Sequence, residues 1–192
     1  MLQPNAQPGD VIFVNLDGND VIDDNDKTMI GKGTPDWTFG INLNGSYKNF
    51  DISMLISGSI GQDILDVTRR LDCRYVNLPA EFMDRWHGEG TSNSMPRFTW
   101  TNDNYRISDL YVKNGNYARI KNLQIGYTLP KAWTNKFFVD RLRVFVAAEN
   151  LLTITPYDGL DPELGGDESS NGIDRGYYPQ ARTFTIGLNL GF

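Results

Sequence analysis

The stretch RTFTIGLNLGF, residues 182–192, limits the fold more than any other part of this chain. Phe184, Ile186, Leu188, Leu190 and Phe192 take every second position, with Thr185, Gly187, Asn189 and Gly191 between them. Period two is the strand period, because successive side chains leave a pleated backbone on opposite sides. An apolar face of this kind needs a cover, either a soluble core or lipid. Residues 183–192 match the roughly 9–11 residues of a tilted strand that crosses a bilayer. The pattern also runs to the last residue, where soluble termini usually fray.

Four further segments alternate. Residues 38–47 set Phe39, Ile41, Leu43 and Tyr47 against Asn42, Asn44 and Ser46, and residues 50–58 set Phe50, Ile52, Met54 and Ile56 against Asp51, Ser53, Leu55 and Ser57. Residues 117–129 set Leu123, Ile125, Tyr127 and Leu129 against Asn122, Gln124, Gly126 and Thr128. Residues 142–151 set Leu142, Val144, Val146 and Ala148 against Arg143, Phe145, Ala147 and Glu149. The connections between them are unequal. Lys48-Asn49 makes a tight hairpin turn, 130–141 a moderate one, while 59–116 and 153–182 are long. Alternation of short and long connections is the habit of an outer-membrane barrel, with short periplasmic turns and long extracellular loops. Residues 9–37, 59–116 and 153–182 are then expected outside the cell. Tyr47, Phe50, Tyr127 and Phe192 would lie at the periplasmic interface, where aromatic girdles form.

Composition removes several classes. A formal net charge of −6 argues against nucleic acid, which needs a concentrated basic face. No run of about 18 apolar residues offers a transmembrane helix, and a barrel strand needs none. Cys73 is the single cysteine and makes no internal disulfide. The opening MLQPNAQPGD has neither a basic nor an apolar signal region, so an exported chain with this start is expected to be a piece of something longer. Catalysis is poorly served, and the chain is not expected to be an enzyme. His87 is the only histidine, no G-x-S-x-G elbow occurs, and one Cys with one His makes no zinc site. Asp161 and Glu163 in GLDPE are spaced like a turn rather than a glycosidase pair. Trp37, Trp86, Trp100, Tyr157, Tyr177 and Tyr178 sit in or beside the long connections, as loop packing or as stacking surfaces for a ligand.

One stretch suggests a cation. NLDGNDVIDDND, residues 15–26, resembles the calcium-loop pattern D-x-[DN]-x-[DN]-G-x5-E. Calcium takes oxygen ligands at positions 1, 3, 5, 7, 9 and 12 of such a loop. Those positions are Asn15, Asp17, Asn19, the Val21 carbonyl, Asp23 and Asp26. Asn15 replaces the first Asp, Asp20 stands where Gly makes the sharp turn, and Asp26 is shorter than the usual Glu. An Asn/Asp-rich turn cluster is the plain alternative.

Five stretches in order carry a wider likeness: PGDVIFVNLDGNDVIDDNDKTMIG, TFGINLNGSYKNFDISMLISGSIGQDI, SDLYVKNGNYARIKNLQIGYTLP, LRVFVAAENLLTITPYDGLDPE and GYYPQARTFTIGLNLGF. Together they resemble the C-terminal end of SusC/RagA-type TonB-dependent outer-membrane transporters of the Bacteroidetes; 65–106 matches least. The resemblance implies an all-β fold, the C-terminal part of a large antiparallel transmembrane barrel that is incomplete in this chain. It also implies a plug domain absent here, import of oligosaccharides or peptides, and a SusD-like surface lipoprotein as partner. A TonB–ExbB–ExbD complex would act through the missing N-terminal region. The strand of Phe184, Ile186, Leu188, Leu190 and Phe192 resembles the signal read by the outer-membrane insertion machinery. Five strands do not close a ring, since the smallest such barrels have about eight, so transport by this chain alone is not expected. A soluble, calcium-stabilised β-sandwich that binds carbohydrate is the competing expectation; it would turn its apolar faces inward.

Overall fold

A computed structural model of the chain describes residues 2–68, 77–78, 80–99, 103–164 and 171–192; Cys73 and Trp100 lie outside them. Among the described residues eight strands occur: β1 (Trp37–Tyr47), β2 (Phe50–Ile60), β3 (Asp63–Asp66), β4 (Val112–Asn114), β5 (Tyr117–Thr128), β6 (Arg141–Ile154), β7 (Ile173–Asp174) and β8 (Thr183–Gly191). The five long strands form one antiparallel sheet in the order β1-β2-β5-β6-β8. That order is an up-and-down meander, with the long connections inserted after β2 and β6. The three short strands lie in or beside those connections and make a second sheet, in the order β4-β3-β7. Strands β2 and β6 run past the clear alternation, to Ile60 and Ile154. Small and polar residues such as Gly58, Ser59 and Thr153 still pair, because the ladder needs backbone groups rather than apolar side chains.

The chain divides into two compact units. Lys32–Ile64 and Lys113–Phe192 hold the large sheet. Its lower end is closed by short turns. Lys48 turns the β1–β2 hairpin at φ 53°, in the left-handed region that tight hairpins use. Between β5 and β6 come Pro130, the one-turn helix α1 (Lys131–Thr134) and a 3-10 turn (Asn135–Phe137). Thr128 N–H donates to the Asn49 carbonyl, Leu129 N–H to that of Leu142 and Asp140 N–H to that of Gly191, at 2.8, 2.8 and 2.9 Å.

Met1–Gly31 and Leu65–Val112 make the other unit. Its small core joins buried Phe82 and Tyr111 to Leu65, Phe98 and Leu110, with the Phe82 and Phe98 rings edge to face at 6.1 Å. Arg97 grips the Asp10 carboxylate through Nε at 2.6 Å and Nη2 at 3.1 Å. Asn104 donates to the same carboxylate and accepts from Val11 N–H, so polar bonds tie the N-terminal segment to Arg97 and Asn104. The Asp10 carboxylate holds the Arg97 guanidinium above its ordinary pKa.

Candidate functional site

The register of the large sheet decides what each face can do. Directly opposed residues share a face, so lines of pairs can be followed across the sheet, three of the apolar ones through all five strands and two as far as β6. Tyr47, Phe50, Tyr127, Val144 and Leu188 make one such line. Gly45, Ile52, Ile125, Val146 and Ile186 make the next, and Leu43, Met54, Leu123, Ala148 and Phe184 the third. Ile41, Ile56, Ile120 and Leu152 follow, then Phe39, Gly58, Ala118 and Ile154. The face is apolar and much of it stands open to the surroundings: Phe184, Ile186 and Leu188 are 68%, 79% and 63% exposed. Phe50 packs against Tyr127 at its lower end, ring centroids 4.6 Å apart, and Trp37 stands at its upper end opposite Ile60.

The opposite face is polar. Its lines include Asn44, Ser53, Gln124, Ala147 and Thr185, and Ser46, Asp51, Gly126, Phe145 and Gly187. Arg143 lies across Gly126 and binds the Asp51 carboxylate through Nε at 2.9 Å and Nη2 at 2.5 Å. A Cβ on Gly126 would stand 2.3 Å from the guanidinium, and one on Gly187 would stand 2.3 Å from the Phe145 ring. Both glycines are therefore gaps that a neighbour fills.

Strict alternation breaks at Lys121. In β5, Asn122 faces Leu55 and Ile120 faces Ile56, leaving Lys121 as a bulge residue. The bulge moves Ile120 and Ala118 onto the apolar face and Arg119 onto the polar one. Arg119 is 3% exposed. Its guanidinium donates to Thr153 Oγ1 at 2.7 Å, to Glu163 at 2.8 Å and to Asp161 at 2.5 Å. Lys121 Nζ donates to Glu163 at 2.6 Å. The second Asp161 oxygen accepts Gln180 N–H at 2.8 Å. Asp161 and Glu163 are thus bound by cations, and they pin the connection after β6 to the polar wall. Tyr157, also in that connection, is buried and donates to Asp174 at 2.6 Å, whereas Tyr178 is 90% exposed. Sequence reading missed Arg119, because one inserted residue reverses the face of everything before it. The charged run at Arg119 and Lys121 inside an apolar strand was the available signal.

The acidic loop is built from turns. Asn15 Oδ1 accepts Gly18 N–H at 2.6 Å, Asn19 Oδ1 accepts Val21 N–H at 2.7 Å, and Asp17 accepts from the backbone and side chain of Asn19. Asp23 caps the 3-10 turn Asp24–Asp26 by accepting Asn25 N–H. Asp26 accepts Leu16 N–H at 2.7 Å and Asp23 N–H at 2.8 Å. Those backbone bonds hold its carboxyl below the usual carboxylate range. Among the described residues no three Asp, Glu, His or Cys side chains converge as a metal group. His87 is exposed, with Nδ1 2.9 Å from the Arg85 carbonyl. No described helix is long and apolar enough to cross a membrane.

No protein-family model matches the chain. Curated relatives do. TonB-dependent receptor P3 of Formosa agariphila is 38% identical over all of this chain and 20% of its own length. TonB-dependent receptor SusC of Bacteroides thetaiotaomicron is 28% identical over 98% of this chain and 18% of its own. The chain therefore spans about a fifth of the length of the curated relatives it matches. Among solved structures, the RagAB peptide transporter superposes with a TM-score of 0.69 at 24% identity, covering 83% of this chain and 17% of that one. This likeness is one of fold.

Proposed function

This chain is a SusC/RagA-type TonB-dependent receptor segment, and from that premise we propose that it serves as a stretch of barrel wall in an outer-membrane nutrient importer. The observation that carries the proposal is the apolar face, which three lines of pairs carry across all five strands and two more carry from β1 to β6, and whose edge residues stand open to the surroundings. A β-sandwich packs such a face against a second sheet. Here Ile186 and Phe184 are exposed, which favours lipid as the cover. Dimensions agree. From Trp37 to Tyr47 the strand runs about 34 Å at ~3.4 Å per residue, and a tilt of about 45° leaves a band roughly 25 Å tall, the height expected of a barrel exterior. The polar face then lines the lumen, and the long connections lie outside the cell.

Cargo and partners follow from kinship. The RagAB structure is named a peptide importer, and oligosaccharide or peptide import with a SusD-like lipoprotein above the barrel and TonB–ExbB–ExbD below is the reading we adopt. The terminal strand is read by the insertion machinery through Phe184, Ile186, Leu188, Leu190 and Phe192. The acidic loop enters as a weak calcium element in which binding has to draw Asp17, Asp23 and Asp26 together. Titration calorimetry on the loop in its folded context should give calcium-specific heat, and its absence would leave a plain turn cluster.

Cell fractionation tests the wall itself. The polypeptide bearing this segment should float with outer membranes and run as a heat-modifiable band. Recovery as a compact monomer in plain buffer would overturn the wall and favour the sandwich.

A further inference from the structure

The turn between β5 and β6 holds a feature that closing a barrel does not require. Leu129 and Leu142, at the lower end of the apolar face, join Trp133, Thr134, Lys136 and Val139 of the turn around a crevice of about 480 Å³. Trp133 is 60% exposed and Phe138 93% exposed, so the turn shows two large aromatic side chains outward. Its two lysines differ. Lys131 is held by Asp140 at 2.9 Å, while Lys136 lines the crevice and has no acidic partner among the described residues.

We propose that this crevice binds a phospholipid of the periplasmic leaflet, one acyl chain lying against Leu129, Leu142, Val139 and Trp133, and the phosphate beside the Lys136 ammonium. The proposal rests on the wall reading above, which puts the short turns on the periplasmic side. Three observations point to lipid rather than to a protein partner. The crevice is continuous with the face that lipid covers, through Leu129 and Leu142. Its lining is apolar but for Thr134, whose buried hydroxyl donates to the Lys131 carbonyl, and Lys136, the single unpaired cation. Trp133 lines the same crevice and is largely exposed, and indole rings favour the headgroup level of a bilayer. A chain against the apolar lining and a phosphate beside Lys136 match the two ends of one amphiphile.

The experiment uses the complete receptor purified from outer membranes in mild detergent, with phosphatidylglycerol as the added probe and native mass spectrometry as the readout. Wild type should retain a phospholipid adduct. Lys136→Glu should lower its occupancy at least threefold, and Trp133→Ala should lower it as well; both side chains are exposed, so the heat-modifiable band should persist in each. Equal occupancy in wild type and both variants, with that band intact, would overturn the phospholipid site and leave the barrel wall standing. A wild-type protein with no heat-modifiable band would sink the wall reading, and the lipid site with it.

Discussion

Two glycines on the polar face show how a missing side chain is used, and they should respond differently to the same change. At Gly126 a new Cβ meets the guanidinium of Arg143, the far end of a flexible side chain. The arm can swing aside without moving the backbone, at the loss of its two bonds to Asp51. At Gly187 the new Cβ meets the Phe145 ring, which has no such freedom, and overpacking of this kind costs about 1–3 kcal/mol. Gly187→Ala in the complete barrel should therefore lower the denaturant midpoint more than Gly126→Ala; the reverse order would mean that Phe145 does not sit over Gly187. Asp26 gives a pH prediction. Its folded carboxyl titrates below the ordinary range because Leu16 and Asp23 N–H groups bind the charged form. The sign follows: its stabilisation of the loop is complete above the unfolded pKa and fades as pH falls through the depressed folded value. Protease protection of residues 15–26 should hold at neutral pH and weaken only in acid. Asp26→Asn should reduce it at neutral pH, and an unchanged cleavage rate would remove Asp26 from that role.

Strands carry their own asymmetry. Ile186 and Thr185 are neighbours in β8 but lie on opposite faces. A lysine at the lipid-facing position costs about 2–4 kcal/mol near the bilayer midplane, whereas lumen positions tolerate charge. Ile186→Lys should lower the surface level of the receptor sharply while Thr185→Lys leaves it near wild type; equal effects would mean that the faces are assigned the wrong way round. In β5 the bulge makes a second test. Deleting Lys121 restores strict alternation, turns Arg119 toward lipid and strips Asp161 and Glu163 of their buried cation, so folded receptor should be lost. Lys121→Ala keeps the bulge and should assemble; if the deletion assembles equally well, Arg119 does not anchor the connection after β6. The same strand marks where the sequence was readable. Phe184 through Leu190 and Leu123 through Tyr127 announce their face because alternation is local and repeats. Arg119 and Ile120 do not, because the bulge is set by pairing with β2 and β6, which lie far away in sequence. The ion cluster was hidden for the same reason: Asp161 and Glu163 look like a turn until Arg119 is placed beneath them. The acidic loop was legible as an Asn/Asp turn cluster, since its other bonds join near neighbours in sequence, but the Leu16–Asp26 bond that closes it spans ten positions.

Across the whole sheet, the two edges outweigh everything else. Among the described residues β1 and β8 each have a neighbour on one side only, and an antiparallel edge leaves both backbone groups of every second residue unpaired. That is on the order of ten polar groups per edge for strands of this length. In hydrocarbon each costs several kcal/mol, so an open edge sums to tens of kcal/mol, against a typical net stability of about 5–15 kcal/mol for a folded domain. Burying the apolar face in lipid does not satisfy those groups. In water the edges are content, but the apolar face is then a large exposed patch that seeks a second copy. Neither solvent suits five strands alone, and both objections vanish once further strands pair with β1 and β8. Expressed by itself and offered detergent, the 192-residue chain should aggregate or remain unfolded, with no heat-modifiable band on a gel and no discrete monomer by light scattering. A folded, monodisperse monomer would mean that the edges find partners within the chain, and that the sheet is a finished domain rather than part of a wall.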